Sequence, residues 1–345
     1  MYKLRQLLLS SLAGLIISTA VMAESVELNS NHPQEYTVVK GDTLWDISAM
    51  FLRDPWRWSD IWYVNDQIAN PHLIYPGDVL VLTYVNGKPM LTKKGCPPNK
   101  LCPEVKSLPL EDAIPMIPID AIRPFLTRPS VLNDGEYETL PYVVAFADEH
   151  IIGGAGQNIY VRSIEDDSEI TFDIIRKGGE YRDHETNELL GIEAIYVGNS
   201  KLRRLGDPAT LHITSSEQHT TKGDRLVPSS FDSPFRDLYP KVPEADINGA
   251  IISVMNGVTQ IGQYNIVVLD RGASNGLQVG DVLSILHRGP DIRDTVSDNP
   301  REMVKLPDEE AGQLVIFRTF DRVSFGIVMF ATRAIHIHDK VVNPE

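Results

Sequence analysis

From Tyr142 to Glu345 no stretch keeps a helical period for three turns, and that confines the larger part of the chain to β-structure. The texture is one of short β-branched runs broken by Gly, Asp and Asn, the pattern of strands ended by turns. The region also repeats itself weakly. Glu193 to Val197, Leu211 to Ile213 and Thr221 to Pro228 parallel Gln313 to Phe317, Ile327 to Met329 and Ile337 to Pro344, and upstream Phe172 to Gly178 parallels Leu283 to Gly289. Two related β modules are therefore expected, at 142–232 and 248–345, joined by the segment from Ser233 to Pro243. Gly280-Asp281, inside the run Leu277 to Leu283, is a further copy of a turn that launches a strand.

The N-terminal part reads differently. Tyr36 to Val39 is a short alternating strand that runs into Lys40-Gly41-Asp42. Thr43, with Asp46 three residues on, starts a helix in the manner of a capping box, and Leu44, Ile47 and Phe51 share one of its faces. Asp54-Pro55 supplies an N-cap and a first-turn proline for a second helix, with Trp58, Ile61 and Trp62 as its apolar stripe and an end near Asn65. Tyr75-Pro76-Gly77-Asp78 has the order of a type II turn and feeds a closing strand, Val79 to Leu82. Asn86-Gly87 then turns that strand back through Pro89-Met90-Leu91. About fifty residues make only a marginal core unless it is densely aromatic. Trp45, Trp56, Trp58 and Trp62, all the tryptophans of the chain, are expected to supply that density. The fold class expected is α+β, a small βααβ domain at 35–84 followed by an all-β tail of two related modules.

Three blocks of this domain resemble the LysM signature in order and spacing: Tyr36 to Ser48, Ile61 to Asn65 and Ile74 to Leu80. The resemblance covers about fifty residues of the chain's 345 and departs at Arg53 to Ser59, where the inter-helix segment is longer and more aromatic. It implies a two-stranded antiparallel sheet with both helices on one side, and a groove that grips N-acetylglucosamine-containing glycan without cutting it. Carried over residue by residue, that groove has Gly41, Asp42, Thr43 and Leu44 on one wall and Asn70, Pro71, His72, Leu73 and Ile74 on the other. Gly41 would let backbone polar groups approach an acetamide, with Leu44 and Ile74 against its methyl. One shallow groove binds weakly, so useful retention on a polymer needs help from elsewhere.

At the N-terminus, Lys3 and Arg5 precede the almost uncharged apolar run Leu7 to Val21, and Val21-Met22-Ala23 offers small residues before a cut. This predicts a signal peptide over 1–23, cleaved after Ala23, export to the periplasm, and a polar linker over 24–34. The run is shorter than the roughly 18 to 20 residues of a membrane span, and no later stretch is long and apolar enough to be one. Loss of two basic residues and no acidic one moves the formal charge from −15 to −17. Such an acidic surface repels phosphate backbones and anionic lipids, which argues against nucleic-acid and membrane-surface partners.

Residues 85–141 form a proline-rich connector, with ten prolines between Pro89 and Pro141. Ala113-Ile114 and Ile117 to Ile119 suggest that part of it docks on a neighbour. Cys96 and Cys102, the chain's two cysteines, lie within it. An oxidising compartment favours a small-loop disulfide between them, and two thiolates alone do not complete a zinc site.

No catalytic residues are expected. Both cysteines sit in the connector, away from any histidine partner. His336-Ile337-His338 places two imidazoles on one strand face, which raises a metal-dependent wall hydrolase as the rival reading. The equivalent positions in the repeat, Thr221 to Asp224, have no ligand character, so a solvated strand end is preferred and no metal is assigned. Gly153-Gly154-Ala155-Gly156 lacks the Lys-Ser/Thr and the helix of a phosphate loop and reads as a hairpin. The expectation is a non-enzymatic protein without cofactor that binds peptidoglycan, its β modules engaging an envelope protein or the wall surface. An envelope scaffold or assembly factor is a further alternative.

Overall fold

The computed structural model describes residues 26–62, 74–94, 114, 130–166, 168–229, 238–255, 260–296, 299 and 302–344. The leader, Cys96, Cys102 and the groove residues Asn70, Pro71, His72 and Leu73 lie outside the described residues.

The first domain pairs β1 (Glu35–Thr37) with β2 (Val79–Val85), and β2 with β3 (Lys88–Lys93), all antiparallel. The sheet therefore has three strands, not the two implied by the resemblance. The cause is local. Asn86 and Gly87 both take positive φ, 53° and 78°, the geometry of a two-residue hairpin, and Val85 pairs Lys88 directly across it. Pro89 is tolerated because β3 is an edge strand. Helix α1 (Leu44–Phe51) begins at Thr43, whose hydroxyl accepts the Asp46 N–H at 3.1 Å. Its apolar face joins Val38, Trp58, Ile61, Trp62, Ile74, Leu80 and Leu91 in one core.

The second helix is shorter than its stripe predicts. A 3-10 turn at Pro55–Arg57 leads into α2 (Trp58–Ile61), which ends because Trp62 is already extended (φ −81°, ψ 122°) and bridges Leu91 of β3. Asp54 precedes the proline as expected but makes no capping bond. Its carboxyl bonds Gln313 of the C-terminal module instead, and burial there pushes its pKa up.

The tail carries two rings of strands. In the first, β5 (Tyr142–Phe146), β6 (Asn158–Arg162), β7 (Thr171–Arg182), β8 (Leu189–Arg204), β9 (Ala209–Ser216) and β10 (Arg225–Pro228) run in the order β8-β7-β10-β5-β6-β9, and a β8–β9 pairing closes them. The edge strand β4 (Ser130–Leu132), from the far end of the connector, adds to β8. The second ring is a closed barrel of β11 (Asn248–Val254), β12 (Ile266–Leu269), β13 (Val282–His287), β16 (Glu309–Thr319), β17 (Ser324–Ala331) and β18 (Lys340–Val342), in the order β11-β12-β17-β16-β13-β18. Taken in chain order, the six strands of each ring pair identically: first with second, second with fifth, fifth with fourth, fourth with third, third with sixth, sixth with first. The two modules are thus related in topology as well as in sequence. Between β13 and β16 the second carries an inserted hairpin, β14 (Asp291–Arg293) and β15 (Met303–Lys305).

Strand register corrects one block of the sequence repeat. Ile175 pairs Arg225 and Ile174 pairs Leu226 in the first ring, while Leu286 pairs Lys340 and Ile285 pairs Val341 in the second. Thr221 therefore corresponds to His336, one residue earlier than the alignment of Thr221 with Ile337 suggests.

The barrel is apolar on both faces. Val267, Leu269, Leu314, Ile316 and Val328 fill its interior. Their alternates Ile266, Val268, Val315, Phe317, Ile327 and Met329 point outward, yet they are buried because Trp45 of α1 and Tyr181 and Leu190 of the β7–β8 hairpin cover them. This reassigns two tryptophans. Only Trp58 and Trp62 belong to the small domain's own core. Trp45 and Trp56 pack against the outer face of the barrel. The tip of the β7–β8 hairpin is held there by Arg271 to Asp183 at 3.3 Å and Arg322 to Glu188 at 2.9 Å.

Candidate functional site

Two turns form the described part of the predicted groove. Val38 N–H donates to Asp78 O at 2.8 Å and Gly77 N–H donates to Val38 O at 2.8 Å, so the turns at 39–42 and 75–78 lie stitched side by side. Each is closed in the same way. Asp42 Oδ2 accepts the Val39 N–H at 2.9 Å, and Asp78 Oδ2 accepts the Tyr75 N–H at 3.0 Å. Such closure needs a left-handed residue just before the aspartate, and Gly41 (φ 103°) and Gly77 (φ 93°) provide it. A side chain at Gly41 meets no atom within 4 Å, so it is backbone conformation that calls for glycine there.

The groove residues divide by role. Gly41 is exposed, as are Lys40, Pro76 and Gly77 beside it. Asp42 is half-buried and also accepts the Tyr36 hydroxyl at 3.0 Å, and burial together with this carboxylate raises the Tyr36 pKa. Thr43 is buried and caps the helix. Leu44 and Ile74, 4% and 0% exposed, point into the core, so at the surface they offer backbone rather than a methyl platform. What the described wall presents is polar main chain on a glycine turn, suited to hydrogen bonding a neutral amide. Its carboxylates are engaged in closing turns.

A barrel residue that sequence reasoning missed adjoins this wall. Tyr264 donates its hydroxyl to Asp46 Oδ1 at 3.2 Å, in the first turn of α1, and burial, aided by Asp46, pushes the phenol up to about 12. A cleft of about 1000 Å3 also runs between the small domain and the barrel, past Asn29, Arg53, Asp54, Glu310 and Gln313. It lies beyond the C-terminal end of α1, away from the glycine turns.

The histidines of the rival reading sit elsewhere than expected. Residues 336–339 form a turn, not a strand, with Asp339 Oδ2 accepting the His336 N–H at 2.8 Å and His338 in the left-handed region (φ 75°). The two imidazoles part company. His338 stacks on His184 with ring centroids 4.1 Å apart, whereas His336 joins His287 and Asp339. One potential ligand atom from each of these three lies within 4.8 Å of the others, the one such group among the described residues. His287 carries no signal in its own stretch and becomes visible only when β13 is set beside β18. Gly153 to Gly156 leads into β6 rather than a helix, with Gly154 N–H donating to Gln157 Oε1 at 2.8 Å.

Comparison with known proteins matches residues 36–83 to the LysM domain family. Over 58 residues the chain is 43% identical to "Uncharacterized protein YqbP" of Bacillus subtilis (strain 168). That match covers 14% of this chain and 26% of the relative, so the chain spans about a quarter of the length of the relative it resembles.

Proposed function

Because residues 36–83 form a LysM domain, a module that generally binds peptidoglycan or chitin, we propose that this chain binds the N-acetylglucosamine glycan of peptidoglycan and does not cut it. The observation that carries the proposal is the exposed main chain of the Gly41 turn, hydrogen-bonded beside the Pro76-Gly77 turn within the matched segment. An acetamide needs one donor and one acceptor at fixed spacing, and a stitched pair of turns supplies such groups at low cost in ordering. The proposed groove comprises the carried-over residues Gly41, Asp42, Thr43 and Leu44 together with Asn70, Pro71, His72, Leu73 and Ile74. Titration of the purified chain with N-acetylglucosamine oligomers should give saturable heat. A calorimetric trace no different from buffer would remove the glycan from the account.

The non-catalytic half has its own test: sacculi incubated with the chain should release neither reducing ends nor free amines, and release of either makes it a hydrolase. We place the protein in the periplasm on the strength of residues 1–23, with Cys96 and Cys102 joined there. N-terminal sequencing of the exported form should begin at Glu24, and thiol alkylation should find both cysteines blocked.

A further inference from the structure

The two β modules close the start of their last strand in the same way but with different chemistry. In the first, the buried carboxylate of Asp224 accepts the Thr221 N–H at 2.7 Å. It is neutralised by Arg176, whose Nε and Nη2 each donate to it at 2.8 Å, and Nη2 also reaches Thr221 Oγ1 at 3.2 Å. The side chain of Asp224 is 3% exposed, so a permanent cation on the neighbouring strand is what makes its burial tolerable. Shared register puts His287 where Arg176 stands, His336 where Thr221 stands and Asp339 where Asp224 stands.

Asp339 is equally buried, with 4% side-chain exposure. Its Oδ2 accepts the His336 N–H at 2.8 Å, and Oδ1 lies 3.0 Å from His287 Nδ1. His336 Nδ1 is 3.9 Å from Oδ2, is itself shielded from solvent, and has no hydrogen-bond partner. A fixed guanidinium has thus been exchanged for two imidazoles converging on one buried carboxylate, and one of them presents an unused nitrogen.

We propose that His287, His336 and Asp339 bind a borderline-soft divalent cation, Zn2+ foremost, which takes the place of the Arg176 guanidinium and ties the end of β13 to the turn before β18. Two imidazole nitrogens and a carboxylate oxygen are a zinc donor set. Bonds of about 2.0 to 2.2 Å place tetrahedral ligands roughly 3.3 Å apart; here His287 Nδ1 is 3.0 Å from Asp339 Oδ1, His336 Nδ1 is 3.9 Å from Asp339 Oδ2, and one ligand atom from each of the three residues lies within 4.8 Å of the others. His336 is half-exposed and closes the remaining distance by side-chain rotation; water reaches the partly open rings of His287 and His336 and completes the shell. The ion here is a cross-brace. His338, the other member of the sequence pair, is turned away onto His184 and has no part in it.

The test is Zn2+ titration of the chelator-treated full chain, read by calorimetry and by melting temperature. One equivalent should bind, and at a free concentration ~100 times Kd the melting temperature should rise by on the order of 5 °C. His336→Ala should weaken binding at least ~10-fold. His287→Arg, which installs the sister module's residue, should abolish uptake while melting in chelator no lower than wild type. His184→Asn combined with His338→Asn should leave uptake intact. Absence of a saturable single equivalent, an affinity undiminished in His336→Ala, uptake retained by His287→Arg, or uptake lost in the His184/His338 variant overturns the proposal.

Discussion

Asp42, Asp78, Asp224, Asp281 and Asp339 each accept the backbone N–H three residues earlier and so close a turn. The residue before each is left-handed: Gly41, Gly77, Gly223, Gly280 and, at the fifth, His338. Four of these turns were legible as Gly-Asp because glycine answers a conformational demand that sequence displays directly. The fifth was hidden by its histidine. What each carboxylate meets on the next strand was not legible at all, since that depends on strand pairing across the ring. Arg176→Met leaves Asp224 buried without its cation and should cost about 3 kcal/mol in urea melts. At Asp183 hydrogen bonds outweigh burial. The Thr186 N–H, with help from the Glu185 N–H and Arg271, lowers its pKa from 3.8 to about 2. As pH falls below 3.8 the unfolded chain takes up a proton that folded Asp183 still refuses, so this contribution to stability is complete above that pH and is lost on the way to about 2. Asp183→Asn keeps an acceptor oxygen and cannot titrate, so its melting temperature should fall less steeply than wild type's over that interval.

Among the elements, helix α1 best separates what a sequence reveals from what it conceals. The spacing of Leu44, Ile47 and Phe51 identified one buried face, and Thr43 identified its start. Trp45 faces away from all three and is buried by the barrel, a partner that periodicity within one helix cannot name. The same limit applied to β16. Its unbroken run Leu314 to Phe317 is the mark of a strand covered on both sides, and what covers its outer side comes from elements far away in the chain. Trp45→Ala should cost about 3 to 5 kcal/mol in the full chain, as removal of a fully buried tryptophan does. A loss within 1 kcal/mol, measured by urea unfolding, would mean that the small domain does not rest on the barrel as described.

At the scale of the molecule, one LysM domain packs on the second of two β modules that share a single ring topology. On the proposed reading a single groove would give modest affinity, and packing on the barrel would limit the ordering lost when glycan binds. The α+β class and the doubled tail could be read from texture and repeat. The mount could not, because it rests on contacts between parts of the chain far apart in sequence. The most direct measurement is co-sedimentation of the full chain with purified sacculi, alongside Gly41→Val. That variant forces a β-branched residue into a positive-φ position at the groove lip and should keep a single cooperative melt. Wild type should pellet with the wall and be released by soluble N-acetylglucosamine oligomers, and Gly41→Val should bind at least ~10-fold more weakly, a loss of about 1.4 kcal/mol. Folded wild-type protein that stays in the supernatant, or retention indifferent to both the oligomers and the substitution, would contradict a glycan groove at the Gly41 turn.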